Sequence, residues 1–477
     1  MVFDVVIIGA GVIGAITARE LMKYDLSVCV LEKQYDVAEG ATKANSSIVH
    51  GGFDPEIGTK KARLNVRGAE LMPSLAADLG VKYKNNGSLV LAFNGDELEI
   101  VNELYHRGYR NGVKNMTVLN KKQTLELEPN ISDEVVGALY VPSAGIVCPY
   151  QLAIAAIGNA MDNGAELKTG FEVVRIEKDG EDFAVSSPTE TVKGRYVVNC
   201  AGLYADKIAA MIGDDRYNIV PKKGEYLLLD KSEGGLVSHT VFQVPSAAGK
   251  GVLITPTVDG NLLVGPTSEA IDDRECKDTT LAGLDKVKLL ASKSVKNIPF
   301  RKVITSFTGL RAFAGDDFVI EPSVKDPHFI NTVGIDSPGL SSAPAIAEEI
   351  AEILGNQGLS LTENKNFVGI RRTHHGFAEL SVEEKNEIIA KDKRFGRIIC
   401  RCEGVTEGEI VEAIHQNPKA TTVDGIKRRT RAKMGRCQGG FCTSYLTEIL
   451  ARELGVSEEE ITLRSTDSKL LFGGEGK

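Results

Sequence analysis

Four of the eight cysteines form two pairs near the end of the chain. One residue separates Cys400 from Cys402, and four residues separate Cys437 from Cys442. Paired thiols joined by a predicted helical segment are typical of a site for Zn²⁺ or for an iron–sulfur cluster. Structural zinc sites usually place about two to four residues between paired cysteines, so the shorter first gap departs from that pattern. The spacing therefore predicts a metal centre and leaves zinc and iron open.

A glycine-rich segment, GAGVIG, occupies residues 9–14 between a predicted strand and a predicted helix. In this setting Gly9 allows a tight turn, Gly11 lets a pyrophosphate approach the backbone, and Gly14 lets the helix pack on the strand. The helix N-terminus faces the phosphates, where its partial positive charge is favourable. Glu32 ends the next predicted strand, where its carboxylate can accept ribose hydroxyls. These residues predict a dinucleotide site.

The elements that must position these residues begin with a βαβ unit. Its strands are predicted at residues 3–8 and 27–32, with a helix between them that extends to about residue 24. Residues 171–176 and 196–202 are also rich in strand-forming residues, and the second run ends in a small-residue turn before a helical stretch. We predict that these runs belong to the same nucleotide-binding sheet.

Later segments complete and cover that sheet. A strand at 329–334 leads through Pro338 and Gly339 into a helix that extends to about Leu354. Residues 80–150 and 218–305 alternate with a period of two around turns, which predicts an inserted antiparallel sheet that covers the substrate. The predicted fold class is α/β: a Rossmann-like domain with a β-rich insertion, followed by a small C-terminal helical module.

The domain boundaries follow from changes in composition. Beyond Leu354 the sequence becomes mostly polar and then charged and helical. We predict one domain over residues 1–355, a linker over 356–394, a metal-binding domain over 395–455 and a tail over 456–477.

Composition limits the classes of function. The 477 residues are 42% hydrophobic, enough for a large core and about two to four domains. A formal net charge of −9 argues against a global positive field that would bind nucleic acid or an anionic membrane. The longest apolar run, residues 5–16, is too short to span a bilayer, and no basic segment precedes it. We therefore expect a cytoplasmic protein whose cysteines are thiols or metal ligands, because that compartment is reducing.

The glycine-rich segment, the strand ending in Glu32 and the later small-residue turns resemble the D-amino-acid-oxidase-like superfamily of FAD enzymes, over about residues 1–355. The segments GATKANSSIVHGG at 40–52 and GKGVLITPTVDGN at 249–261 look like those of FAD-dependent glycerol-3-phosphate dehydrogenases. Small and hydroxylic residues supply N–H and O–H donors to a pyrophosphate and a flavin ring, and glycines let backbone lie against the ring. The resemblance implies noncovalently bound FAD.

Three residues are candidates for substrate chemistry. Arg311, in the segment GLR at 309–311, matches the family arginine that binds the substrate anion, since a guanidinium fork suits carboxylate or phosphate. His50 directly precedes the glycines expected under the flavin and could take the hydroxyl proton as hydride leaves the same carbon. Lys250 could bind phosphate or stabilise a developing oxyanion. The alternatives are a surface arginine, a structural histidine and a solvated lysine.

The cofactor-binding residues follow from the motifs and the resemblance together. They are Gly9, Gly11, Gly14, Glu32, Lys33, Thr42, Asn45, Ser46, Ser47, His50, Gly51, Val173, Ala201, Gly202, Gly309, Gly334, Gly339, Leu340 and Ser341.

The segment from residue 400 to 442 resembles the bacterioferritin-associated-ferredoxin-like [2Fe–2S] domain. That family usually has a shorter second cysteine pair, and the four-residue gap looks like the version fused to anaerobic glycerol-3-phosphate dehydrogenase large subunits. The resemblance implies that Cys400, Cys402, Cys437 and Cys442 hold one cluster. The remaining cysteines are expected to pack as small apolar residues: Cys29, Cys148, Cys200 and Cys276.

Six of the ten residues from 427 to 436 are basic in an otherwise acidic chain. No interleaved aromatic residues or nucleic-acid motif accompany them, which disfavours nucleic-acid binding. Cations near a thiolate-held cluster would offset its negative charge, and the remainder could dock an acidic electron-transfer partner. A solvated basic face is the alternative that the sequence leaves open.

The reaction implied is oxidation of sn-glycerol 3-phosphate to dihydroxyacetone phosphate, with FAD taking two electrons. The [2Fe–2S] cluster would pass them singly to a partner subunit or a quinone, and a membrane would be met only through that partner. One alternative is a 2-hydroxy-acid or amino-acid dehydrogenase, because Arg311 could equally hold a carboxylate. Another is a non-catalytic electron-transfer or redox-sensing subunit, which the presence of His50 and Lys250 disfavours.

Overall fold

The computed structural model describes residues 1–245, 251–371 and 376–472. Its strands are β1 (Val2–Ile8), β2 (Val28–Glu32), β3 (Ile48–Val49), β4 (Tyr83–Lys84), β5 (Ser88–Ala92), β6 (Thr117–Asn120), β7 (Gly137–Val141), β8 (Gly145–Val147), β9 (Glu166–Thr169), β10 (Arg175–Asp179), β11 (Asp182–Ser186), β12 (Thr191–Asn199), β13 (Val220–Leu229), β14 (Thr240–Gln243), β15 (Leu253–Pro256), β16 (Leu262–Gly265), β17 (Glu269–Ala270), β18 (Val303–Phe313), β19 (Val319–Pro322), β20 (Phe329–Val333), β21 (Ile398–Cys400) and β22 (Val405–Thr406). Its helices are α1 (Val12–Leu21), α2 (Lys60–Asp78), α3 (Gly95–Arg110), α4 (Lys121–Leu127), α5 (Pro149–Asp162), α6 (Ala205–Ala210), α7 (Leu281–Ser294), α8 (Gly339–Asn356), α9 (Val382–Lys391), α10 (Glu407–His415), α11 (Val423–Thr430) and α12 (Thr443–Leu454).

The first sheet is a parallel nucleotide-binding sheet with the order β9-β2-β1-β12-β20. The hairpin β10–β11 extends from β12, and β19 pairs antiparallel with β20. Helices α1, α5 and α8 pack together on this sheet, and their buried side chains share one core with β1 and β2. The predicted βαβ unit is therefore confirmed, and the carboxyl ends of β1 and β2 carry the glycine loop, residues 9–14, and Glu32.

The predicted strand at 171–176 begins later than expected. β10 starts at Arg175, whereas the N–H of Phe171 donates to the carbonyl oxygen of Glu32 at 2.9 Å. This bond ties residues 171–173 to the end of β2 instead of to the β10–β11 ladder, so they form a wall of the cavity beside Glu32.

The second sheet covers the carboxyl ends of the first and has the order β18-β13-β16-β15-β14-β5-β7-β6, with β17 also paired to β13. The expectation of a wholly antiparallel sheet is wrong at one pair, because β14 runs parallel to β5. The chain leaves β7 for the first sheet before it returns at β13, so no tight hairpin fixes the direction of β14 against β5.

The C-terminal domain contains the hairpin β21–β22 and helices α10, α11 and α12 around their own apolar core. The stretch predicted as a linker is ordered against the first domain: the N–H of Asp25 donates to Thr362 at 2.8 Å, and that of Arg371 donates to Asp78 at 2.7 Å. The predicted tail also packs back, with Ile461 buried in the C-terminal core. The described residues of 356–394 and 456–472 are thus held by backbone hydrogen bonds to the first domain and by side chains buried in the C-terminal core.

Among the described residues, no helix is both long and apolar enough to cross a membrane.

Candidate functional site

A cavity of about 520 Å³ lies between the two sheets. It is lined by most of the residues predicted to bind a cofactor or substrate: Gly9, Gly11, Glu32, Lys33, Thr42, Asn45, Ser46, His50, Val173, Ala201, Gly202, Gly309, Arg311, Gly339 and Leu340. Five predicted residues stand behind this wall: Gly14, Ser47, Gly51, Gly334 and Ser341. Lys250 lies outside the described residues.

The glycine loop has the close packing that its sequence predicts. Gly9 has a φ of +106°, and a Cβ there would lie 2.4 Å from the carbonyl oxygen of Cys200. A Cβ on Gly14 would lie 2.0 Å from the carbonyl oxygen of Gly9. Only glycine fits either place, because β1, β12 and the start of α1 meet here without side chains between them.

Glu32 holds the loop in place from the end of β2. Its Oε2 accepts a hydrogen bond from the N–H of Ala10 at 2.9 Å, and its Oε1 accepts one from Gln34 at 2.9 Å. Burial raises the pKa of this carboxyl above its ordinary value, although the two N–H donors oppose that shift. The carboxylate therefore lies beside the loop, at the cavity wall, where the ribose of a dinucleotide would be expected.

The loop at residues 40–52 forms the next wall. Thr42 accepts a hydrogen bond from the N–H of Val12 at 2.9 Å, which fastens the loop to the first turn of α1. Asn45 bonds within the loop, donating to Thr42 at 2.9 Å and accepting from the N–H of Ser47 at 2.8 Å. The hydroxyl of Ser46 lies 3.1 Å from that of Tyr226, across the cavity in the second sheet. The hydroxyl of Thr42 and the amide of Asn45 thus act as internal braces of this loop.

Arg311 enters the cavity from β18. Its Nη2 donates to the carbonyl oxygen of Thr267 at 2.8 Å, and no carboxylate among the described residues forms an ion pair with it. Gly309 lies two residues earlier on the same face, where a Cβ would be 1.9 Å from the carbonyl oxygen of Ala44. The close approach of β18 to the 40–52 loop therefore places a guanidinium, still able to pair with an anion, beside the predicted flavin loop.

His50 lies on the same cavity wall, half-buried, at the end of β3. Its N–H donates to Oγ of Ser341 at 2.7 Å, and its carbonyl oxygen accepts from Asn65 at 3.1 Å. Its ring is 5.6 Å from that of Phe242. The structure brings His50 and Arg311 to one cavity with the glycine loop.

Two aromatic wall residues were missed by the sequence analysis. Tyr226 on β13 and Phe242 on β14 both line the cavity. Tyr226 stacks on Phe307 of β18, with ring centroids 4.8 Å apart. The period-two face of Phe307, Gly309 and Arg311 was visible in the sequence, but its pairing with β13 depends on a register that no local signal gives.

The four predicted metal ligands come together in the C-terminal domain as two pairs. The Sγ atoms of Cys402 and Cys437 are 3.5 Å apart. A hydrogen bond from Cys442 lowers the pKa of the Cys400 thiol to about 6. Among the described residues, no three His, Cys, Asp or Glu side chains lie close enough to share one metal ion. Two thiol pairs fit a two-iron cluster, in which each iron takes two protein ligands, better than a tetrahedral zinc.

The other cysteines behave differently. Burial raises the pKa of Cys29, Cys148 and Cys200 to about 12. Such thiols stay protonated and pack as small apolar side chains. Cys276 is partly exposed, and its Sγ lies 3.9 Å from Nζ of Lys223.

The basic stretch at 427–436 is mostly an interface between domains. Arg428 and Arg429 are 5% and 4% exposed and pair with Asp36 of the first domain. Arg431 pairs with Asp259 of the second sheet. The interpretation as a solvated basic face is therefore wrong for these arginines, because carboxylates of the neighbouring domain bury and neutralise them.

Two family models together match most of the chain. The model described as FAD dependent oxidoreductase matches residues 4–353, and the model described as BFD-like [2Fe-2S] binding domain matches residues 398–452.

Individual relatives extend this match. A glycerol 3-phosphate dehydrogenase from Caloramator mitchellensis is 50% identical over 472 residues, which are 99% of this chain and 98% of the relative. A glycerol 3-phosphate oxidase from Mycoplasma genitalium is 33% identical over 361 residues, 74% of this chain and 94% of the relative. The solved structure of dithionite-reduced L-alpha-glycerophosphate oxidase from Mycoplasma pneumoniae with FAD bound has a TM-score of 0.74 at 31% identity, covering 78% of this chain and 99% of that one.

Proposed function

Since the chain belongs to the FAD dependent oxidoreductase family, we propose that it oxidises sn-glycerol 3-phosphate to dihydroxyacetone phosphate. Its cofactors are FAD and, in the C-terminal domain, a [2Fe–2S] cluster. The observation that carries the substrate assignment is Arg311, a guanidinium without a carboxylate partner among the described residues, in the cavity that also contains the glycine loop and His50.

Each residue has a distinct task in this proposal. Arg311 binds the phosphate dianion through its fork, with its remaining N–H donors oriented by the bond to Thr267. His50 accepts the proton of the C2 hydroxyl as the carbon loses hydride. Tyr226 and Phe242 exclude water from the face opposite the 40–52 loop. When bound, FAD supplies the acceptor for the two electrons that leave the carbon.

We place the electron exit at the C-terminal domain. A [2Fe–2S] cluster, when bound, supplies a one-electron acceptor, which an oxidase that uses O₂ does not need. The hydroxyl of Tyr150, at the start of α5, lies 3.3 Å from Sδ of Met434, three residues before Cys437. This contact joins the cysteine loop, residues 431–442 between α11 and α12, to the first domain. It supports a relay to a partner subunit or a quinone.

The substrate test is anaerobic bleaching of the flavin absorbance in the purified holoprotein. We expect rapid bleaching by sn-glycerol 3-phosphate and slow or no bleaching by 2-hydroxyglutarate or proline. The reverse order would make the protein a hydroxy-acid or amino-acid dehydrogenase, since the same fork binds carboxylates. Bleaching by none of them would leave an electron-transfer or redox-sensing subunit as the function.

A further inference from the structure

Asp36 forms a buried clamp between the two cofactor-binding domains. Its Oδ2 accepts hydrogen bonds from Nη2 of Arg428 at 2.6 Å and from Nη1 of Arg429 at 2.8 Å, and its Oδ1 accepts from Nη2 of Arg429 at 2.8 Å. Burial opposes ionisation, yet the two guanidinium charges hold the pKa of Asp36 well below its usual range. The clamp is therefore a charged cluster that both domains must complete.

On the first-domain side, the clamp continues into the FAD site. Residues 36–39 form a turn in which the N–H of Ala38 donates to the carbonyl oxygen of Ala10, within the glycine loop, at 3.0 Å. Glu39 lines the cavity and lies 2.5 Å from Nη2 of Arg428. The arginines therefore contact the same short segment that shapes the dinucleotide site.

On the other side, the clamp continues into the cysteine loop. Arg428 and Arg429 lie in the last turns of α11, and the chain proceeds from there directly to Cys437. On the way, the backbone N–H of Lys433 lies against the thiols of Cys400 and Cys442. A Cβ on Gly435 would lie 2.3 Å from Cβ of Cys402, so this backbone packs against the Cys402–Cys437 pair as well.

The buried ion pairs of Asp36 with Arg428 and Arg429 require both domains. Removal of either side of a buried ion pair leaves an uncompensated charge, so each half favours its ordered position only while the other half is in place. Ligands that order the two halves are then linked, and the linkage acts equally in both directions.

We propose that the clamp of Asp36, Arg428 and Arg429 couples the loading of the two cofactors, so that each binds more tightly when the other is present. Thiolate ligation orders the segment that ends α11, and FAD orders the glycine loop and the turn at 36–39. The three residues act as positioning residues, since none of them lies among the predicted ligands. The coupling is independent of whether electrons pass through the cluster.

The test begins with the purified full-length protein, from which the flavin is removed under anaerobic conditions. FAD is then titrated back, and its binding is measured by the quenching of flavin fluorescence. Wild-type protein is titrated with its cluster intact and again after the iron has been removed by chelation. We expect the dissociation constant of FAD to be about 5- to 150-fold larger without the cluster, the usual range of coupling between two sites. In Asp36→Asn the ratio of the two dissociation constants should fall toward one, because only the Arg428–Glu39 contact then remains.

Asp230→Asn is the matched control. Asp230 forms an ion pair with Arg436 at 3.1 Å. This ion pair also joins the cysteine loop to the first domain, but neither residue lines the FAD cavity. This variant should keep the wild-type ratio, and Arg429→Lys, which loses the fork but keeps the charge, should give an intermediate one.

Equal dissociation constants in the two forms of wild-type protein would overturn the coupling, and this comparison needs no variant to fold. A full ratio in Asp36→Asn would overturn the role of the clamp. Both results are independent of substrate oxidation: bleaching by glycerol 3-phosphate without coupling would reject this inference alone, and coupling without bleaching would reject the proposed reaction alone.

Discussion

The backbone N–H of His50 donates a 2.7 Å hydrogen bond to Oγ of Ser341, a residue 291 positions later in the chain. The carbonyl oxygen of His50 accepts a second bond, from Asn65. Together these bonds fix the histidine backbone between α2 and the first turn of α8. A change of the imidazole therefore leaves both bonds in place, and the chemistry of the ring can be tested apart from the fold.

We expect His50→Gln to retain FAD and to slow flavin reduction by glycerol 3-phosphate about 10²- to 10⁴-fold, the usual contribution of a general base. The measurement is stopped-flow bleaching at saturating substrate. Ser341→Ala is the control, because it removes the brace and keeps the ring; it should cost about 1–3 kcal/mol of stability through an unsatisfied N–H. An unchanged reduction rate in His50→Gln would make the histidine structural.

Arg311→Lys should weaken substrate binding, because a point charge replaces a fork that is already oriented by Thr267. Loss of such a pair in a desolvated site costs on the order of 2–5 kcal/mol. The effect should appear in the KM for glycerol 3-phosphate more than in the FAD content. Lys222→Ala, opposite Arg311 in the β13–β18 ladder, is an informative comparison. A KM that barely changes in Arg311→Lys would place the anion site elsewhere.

The sequence predicted what local patterns encode. The glycine loop and Glu32 belong to one βαβ unit, and Gly9 and Gly14 are required by contacts within it and with β12. Tyr226 could not be predicted, because its place in the cavity depends on the register of β13 against β18. The charge of residues 427–436 could be read from the sequence, but their ion-pair partners could not, since Asp36 lies 392 positions before Arg428. Such contacts between distant segments arise when whole domains dock. The local periodicity of hydrophobic residues carries no information about that docking.

Gly14→Ala should abolish FAD retention. The new methyl group would lie 2.0 Å from the carbonyl oxygen of Gly9, so either α1 or the glycine loop must move. Gly95→Ala, also at the start of a helix, meets no atom within 4 Å and serves as the control. The measurement is the ratio of flavin absorbance to protein after gel filtration. Normal flavin content in Gly14→Ala would show that the phosphate site does not depend on this close packing.

Both thiol pairs should be needed to hold the cluster. Serine in place of Cys400, Cys402, Cys437 or Cys442 should abolish the paramagnetic signal of the reduced cluster, because a two-iron cluster needs both pairs. With FAD supplied in excess, bleaching by substrate should largely survive, since the proposed substrate site lies in the first domain, whereas turnover with external acceptors should slow. Cys276→Ser is the control, a partly exposed thiol remote in sequence from the pairs.

Metal analysis of the anaerobically purified protein separates the remaining outcomes. About one zinc per chain without iron or sulfide would contradict the cluster. The two thiol pairs would then have to move together to form one tetrahedral zinc site. Iron in the expected amount, with normal turnover in the serine variants, would contradict only the relay. The cluster would then serve the stability of the interface at Asp36 and not the passage of electrons.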